Sequence, residues 1–200
     1  MYRYVAGLVC ALGMLVSSAT ICMAGTPTDD IRKTTDKIIA ILTDPALKGP
    51  DQDEVRAQKI RKAVDERFDW EEMSMRTLAR HWKDRTPAER TEFIDLFGQL
   101  LERTYLDKVE GYSGEKVLYV DEKTEGDYGL VTVKIVTKEA TEILVQYRLR
   151  DKGGEWLVYD ISIEGVSLVN NYRKQFHSIL TRSSYKDLVD KLRSKVEEGN

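Results

Sequence analysis

The sequence predicts an α+β fold: a twisted four-stranded antiparallel meander with helices before and after it. Three observations predict it. Apolar residues repeat at helical spacing from Ile31 to about Val109; the period changes to two across residues 117–163; and two amphipathic segments close the chain. The 200 residues carry 32% charged and 42% hydrophobic side chains, a balance that suits one globular domain and excludes disorder and a polytopic membrane protein. A net charge of -3 disfavours nucleic acid as a partner.

Residues 1–24 read as an address. Arg3 is the only charge before Asp29, and an apolar run extends from Val5 to Val16. That run is shorter than the roughly 20 residues needed to span a bilayer. Ile21 is a poor residue before a lipoprotein cysteine, whereas Cys22-Met23-Ala24 suits cleavage after Ala24. The expected mature chain is one domain, 25–200. Cys10 and Cys22 leave with the leader, so no thiol enters an oxidising compartment.

The first helix follows Thr28-Asp29, carries Ile31, Thr35, Ile38, Ile39 and Leu42, and stops at Asp44-Pro45. The second covers about 51–67, with Ala57, Ile60, Val64 and Phe68 on one side. The third starts at Asp69, with Glu72 three positions on. Thr86-Pro87-Ala88-Glu89 is a capping box with proline at the first helical position, opening a helix that runs to about Val109. This helix bears two apolar stripes: Phe93, Leu96, Phe97, Leu100 and Thr104, and beside them Ile94, Leu101 and Tyr105. Such a width predicts cover on two sides.

Alternating Val, Ile and Tyr then mark strands at 117–122, 128–138, 142–150 and 155–163. Glu125-Gly126-Asp127 and Lys152-Gly153-Gly154 are hairpin turns. Leu168 to Leu180 and the segment after Ser184 are the closing helices.

No constellation for catalysis emerges. His81 and His177 are the only histidines, and the mature chain has no cysteine, so neither a metal site nor a cofactor is expected. Gly165-Val166-Ser167-Leu168-Val169 lacks the second glycine of a nucleophile elbow, and Ser167 reads as a helix cap. Asp160, inside an apolar strand, and Glu164 at its end are the carboxylates that an enzyme reading would use; a structural hydrogen bond is the alternative for Asp160. What is in surplus is apolar surface. Ile143, Val145, Tyr147 and Leu149 share a face; Leu157, Tyr159, Ile161 and Ile163 alternate with Trp156 and Val158. The residues leave open a filled double-sided core or a cavity wall between sheet and helices, to which Phe68, Trp70, Met73, Met75 and Trp82 would contribute.

Phe68-Asp69-Trp70, Met73, Leu78-Ala79-Arg80-His81-Trp82, Thr86-Pro87-Ala88-Glu89-Arg90, Phe93, Phe97 and Thr104-Tyr105 resemble the helical half of the MlaC, or toluene-tolerance, family. The run from Trp156 to Val169, continued by Tyr172-Arg173 and Phe176, is similar to its most specific signature. The likeness covers about residues 29–197. It implies a periplasmic, monomeric, non-enzymatic phospholipid carrier whose sheet and helices enclose an apolar cavity for the acyl chains. It also implies shuttling between an outer-membrane lipoprotein complex and an inner-membrane ABC transporter bearing an MCE-domain protein, in support of outer-membrane lipid asymmetry. The lipid-binding positions it implies are Trp70, Met73, Phe93, Phe97, Leu100, Leu101, Tyr105, Val133, Val145, Tyr147, Tyr159, Val166 and Tyr172. Ala79 stands where the family often has Gly. A carrier of hopanoid or another apolar ligand, and a non-catalytic interaction module, are the alternatives.

Overall fold

The structure, a computed structural model, describes residues 25–197; the leader assigned to 1–24 lies outside them. Six α-helices and five strands follow in the order α1 (Pro27–Thr43), α2 (Asp53–Asp65), α3 (Trp70–Leu78), α4 (Pro87–Glu110), β1 (Lys116–Glu125), β2 (Tyr128–Val136), β3 (Glu142–Asp151), β4 (Trp156–Ile163), β5 (Val166–Ser167), α5 (Leu168–Leu180) and α6 (Tyr185–Glu197). The sheet is an antiparallel meander in sequence order, with the two-residue β5 added to the expected four strands.

Local chemistry accounts for the helix starts. The Thr86 hydroxyl accepts from the Glu89 amide at 3.2 Å and the Glu89 carboxylate accepts from the Thr86 amide at 2.8 Å, with Pro87 first in the helix. The first helix begins earlier than Thr28-Asp29 suggested: Thr26 caps it, Pro27 opens it and Asp29 closes the same reciprocal box. Asp69 accepts from the Glu72 amide at 3.1 Å and Ser167 from that of Asn170 at 3.1 Å.

Two bulges set which side chains share a face. In the β3–β4 ladder Arg148 pairs with Asp160 but Leu149 with Val158, so Tyr159 is the extra residue. The alternation expected for β4 therefore breaks there: Trp156 and Val158 fall on the same face as Ile161 and Ile163, and Tyr159 leaves that set. In β1 the register shifts between Tyr119 and Asp121. The resulting inner face carries Val131, Val133, Leu149, Trp156 and Val158, packed with Ile31 of α1. On the opposite face Leu118 and Leu144 remain 46% and 37% exposed, so the sheet is covered mainly on one side.

A second cluster is built by the helices and by Trp82 in the link before α4: Met73, Leu78, Trp82, Phe93, Leu96, Phe97, Leu100, Leu101, Val169, Phe176, Leu188, Val189 and Leu192. The link between α2 and α3 ties the helices to the sheet. The Asp69 amide donates to the Val158 carbonyl, and the Val158 amide to that of Arg67, each at 2.9 Å. Gly129 on β2 lets α1 approach: a β-carbon there would sit 3.0 Å from Pro27 and 3.2 Å from Trp156.

Ala79 ends α3 with φ 49° and ψ -121°, a conformation that glycine adopts freely and alanine does not. Ala79→Gly should therefore stabilise the protein by about 1 kcal/mol, the strain relieved less the entropy of a more flexible unfolded chain. Urea titration would read this as a higher midpoint at an unchanged slope.

Candidate functional site

Between α1, α2, α4 and the inner face of the sheet lies a cavity of about 740 Å³. Its helical wall comprises Ile31, Ile38, Ile39 and Leu42 of α1, Ile60 and Val64 of α2, and Gly98, Leu101, Tyr105, Leu106 and Val109 of α4. Its sheet wall comprises Val117, Ile135, Ile143, Val145, Tyr147, Ile161 and Ile163, with Phe68, Trp70 and Leu168 at the margins. The two stripes of α4 thus have separate fates. Phe93, Leu96, Phe97 and Leu100 join the filled helical cluster, with Phe97 edge-on to Tyr172 at 5.3 Å. Of the other stripe, Leu101 and Tyr105, beside Gly98, look into the cavity, while Ile94 packs on the helical cluster. A β-carbon on Gly98 would lie 4.0 Å from the Trp70 ring, so anything larger than alanine would extend into the open space.

Polar groups bound the cavity. Arg61 of α2 reaches Glu102 of α4, with Asp65 at 3.7 Å and Asp95 at 3.9 Å. Arg56 joins Glu110 at 2.9 Å. The Arg61–Glu102, Arg61–Asp95 and Arg56–Glu110 pairs bridge α2 and α4, and being partly exposed they add little to stability. Trp70 donates its indole N–H to Asp65 at 2.8 Å, turning its ring along the wall. Arg67 is nearly buried and held through two of its nitrogens, Nη1 by Asp30 at 3.0 Å and the Trp156 carbonyl at 2.8 Å, and Nε by the Thr34 hydroxyl at 3.2 Å. Burial pushes the Tyr105 phenol upward and that of Tyr147 up to about 12.

Of the thirteen positions implied by resemblance, the structure brings five together on the cavity wall: Trp70, Leu101, Tyr105, Val145 and Tyr147. Met73, Phe93 and Phe97 are fully buried in the filled helical cluster, and Val133 lies in the packed core on the sheet. Leu100 and Tyr172 line a separate groove of about 530 Å³ between α4, α5 and α6. Tyr159, displaced by the bulge, lies under the Arg76 guanidinium at 4.2 Å and edge-on to Tyr128. Val166, in the two-residue β5, is 57% exposed. Phe68 also reaches the wall, whereas Trp82 is core. The assignment missed α1 and α2 as walls; their signal was present, in two amphipathic helices joined by a proline-rich link.

The enzyme reading finds its carboxylate already engaged. Asp160 accepts from the Ser167 hydroxyl at 2.7 Å, Arg148 at 3.1 Å and the Val169 amide at 3.1 Å. It fixes the start of α5 against β4. Glu164 accepts from the Leu144 amide in the turn before β5. The two histidines meet at the surface, His81 Nε2 and His177 Nδ1 3.3 Å apart beside Arg80. Burial, then Arg80, hold His81 below the usual histidine range. Among the described residues no three His, Cys, Asp or Glu side chains converge as a metal site, and no helix is long and apolar enough to cross a membrane.

Comparison with known proteins adds three findings. Residues 32–194 match the family described as "MlaC protein". The chain is 27% identical over 128 residues to the intermembrane phospholipid transport system binding protein MlaC of Haemophilus influenzae, an alignment covering 62% of this chain and 60% of that protein. It superimposes with a TM-score of 0.78, at 25% identity, on a phospholipid-binding protein from Ralstonia solanacearum solved in complex with a phospholipid, covering 87% of this chain and 98% of the other.

Asp160→Ala should cost about 3 kcal/mol, because it leaves buried donors without their charged acceptor. Equilibrium denaturation measures this, and loss of α5 protection in hydrogen exchange should accompany it.

Proposed function

This chain belongs to the MlaC family, and from that membership together with its cavity we infer that it is a carrier of phospholipid. The single observation that carries the reading is the apolar space itself. It measures about 740 Å³ and is walled chiefly by aliphatic and aromatic side chains, the size and lining of a site for an apolar ligand. The relative solved with a phospholipid supports the choice of ligand.

A lipid in water exposes its chains at about 0.8 kcal/mol per methylene. Two chains of roughly 15 carbons cost on the order of 20 kcal/mol when exposed. Ligand and protein each remove the other's exposed surface, and no bond need be made or broken. The chains lie against Ile38, Leu101, Tyr105, Val145, Tyr147 and their neighbours, and the head group remains near solvent. In this reading the leader is removed after Ala24 and residues 25–200 work in the periplasm. An inner-membrane ABC transporter with an MCE-domain protein and an outer-membrane lipoprotein complex are the exchange partners, and the partners' differential affinities set direction.

Filling the cavity tests this. Gly98→Phe should stay folded yet take up labelled phospholipid from vesicles at least tenfold less than the natural chain. Gly98→Ala should retain uptake and gain about 0.5–1 kcal/mol of stability. Uptake by folded Gly98→Phe equal to that of the natural chain would contradict the reading.

A further inference from the structure

Within the sheet wall one side chain is out of keeping. Along β2, β3 and β4 the face toward the cavity is aliphatic except for Tyr147, Trp156 and, at the end of β3, Asp151, whose carboxylate accepts from the Gly154 amide at 2.7 Å. The Trp156 indole N–H is provided for, by the Gly25 carbonyl at 3.0 Å. Tyr147 stands between its ladder partners Val131 and Ile161, in the middle of the wall. Burial and the nearby Tyr119 phenol account for the upward push on its hydroxyl, and among the described residues no hydrogen bond contributes. Tyr119, on the same face, has a buried hydroxyl without a partner. Of the other polar groups close by, the Thr35 hydroxyl donates to the Ile31 carbonyl at 2.9 Å and lies beside Tyr119 rather than bonding Tyr147, and Arg67 has only donors to offer.

A phenol on an apolar wall is a donor in search of an acceptor. It stays protonated at any working pH, since burial has raised it to about 12. A neutral acceptor suits it: among the described residues the face of β2, β3 and β4 around Tyr147 carries no cation, the cavity's Arg61, Arg67 and Lys108 standing on α2, the α2–α3 link and α4, and desolvating a phosphate beside Tyr147 would be unfavourable. We propose that Tyr147 is a specificity-determining residue, whose O–H donates to an ester carbonyl of the bound acyl lipid. The head group is then read little, and the ester linkage is read directly. The assignment rests on the carrier reading, and it deepens that reading by naming the chemical class of cargo as ester-linked acyl lipid.

The test is a binding competition between a diester phosphatidylethanolamine and its diether analogue, with the same chains and head group. The natural chain should bind the diester about fivefold to tenfold more tightly, the scale of one hydrogen bond made in a dry site. Tyr147→Phe, which conserves volume and packing, should erase that preference by weakening the diester alone. Tyr159→Phe, outside the cavity, should leave the preference intact. A natural chain that binds both lipids equally, or a Tyr147→Phe variant that keeps the preference or loses affinity for both lipids alike, overturns the assignment and leaves the carrier reading standing. If the natural chain binds neither lipid, the carrier reading falls, and this assignment with it.

Discussion

A 24-residue helix with apolar residues on two sides cannot be satisfied by one neighbour. That constraint on α4 organises the rest of the molecule. Its Phe93–Phe97–Leu100 side is covered by α3, α5 and α6, and the rings of Phe93, Phe97 and Phe176 interlock there at 5.7–6.0 Å. Its Gly98–Leu101–Tyr105 side faces the sheet across an open space. Had a helix been laid in that space, the protein would have a second filled core and no room for a ligand.

Keeping the space open requires that the α1–α2 hairpin be held at a distance from α4. The hairpin is fixed at the sheet end. Pro27 and Ile31 pack on β2 beside Gly129, and Arg67 binds Asp30 and the Trp156 carbonyl. Backbone bonds from Arg67 and Asp69 to Val158 complete the anchor. Toward α4 the hairpin is joined by long charged side chains, Arg56 to Glu110 and Arg61 to Glu102. These span a gap that apolar packing would have closed.

Much of this was legible in the sequence. The capping box at Thr86-Pro87-Ala88-Glu89 placed the start of α4, and its doubled stripe announced cover on two sides. The glycine turns placed the hairpins. What could not be read was the division of apolar residues between filled core and cavity, because Phe97 and Leu101 obey the same periodicity and differ only in what lies opposite. Of the positions the resemblance implied, Trp70, Tyr105 and Tyr147 line the cavity, whereas Met73 and Phe93 are buried in the helical cluster. The bulge at Tyr159 was equally hidden: strict alternation in sequence carries no mark of the extra residue that moves a side chain out of its set. Ala79 is the opposite case, where the residue that the resemblance marks as standing in place of a frequent glycine has a positive φ.

The central claim is that the cavity holds phospholipid in the working protein. The most direct measurement is native mass spectrometry of the chain exported to the periplasm and purified without detergent, with solvent extraction of whatever adds mass. The account predicts one stoichiometric phospholipid per chain. A bare protein mass, with no lipid acquired on incubation with phospholipid vesicles, would contradict it.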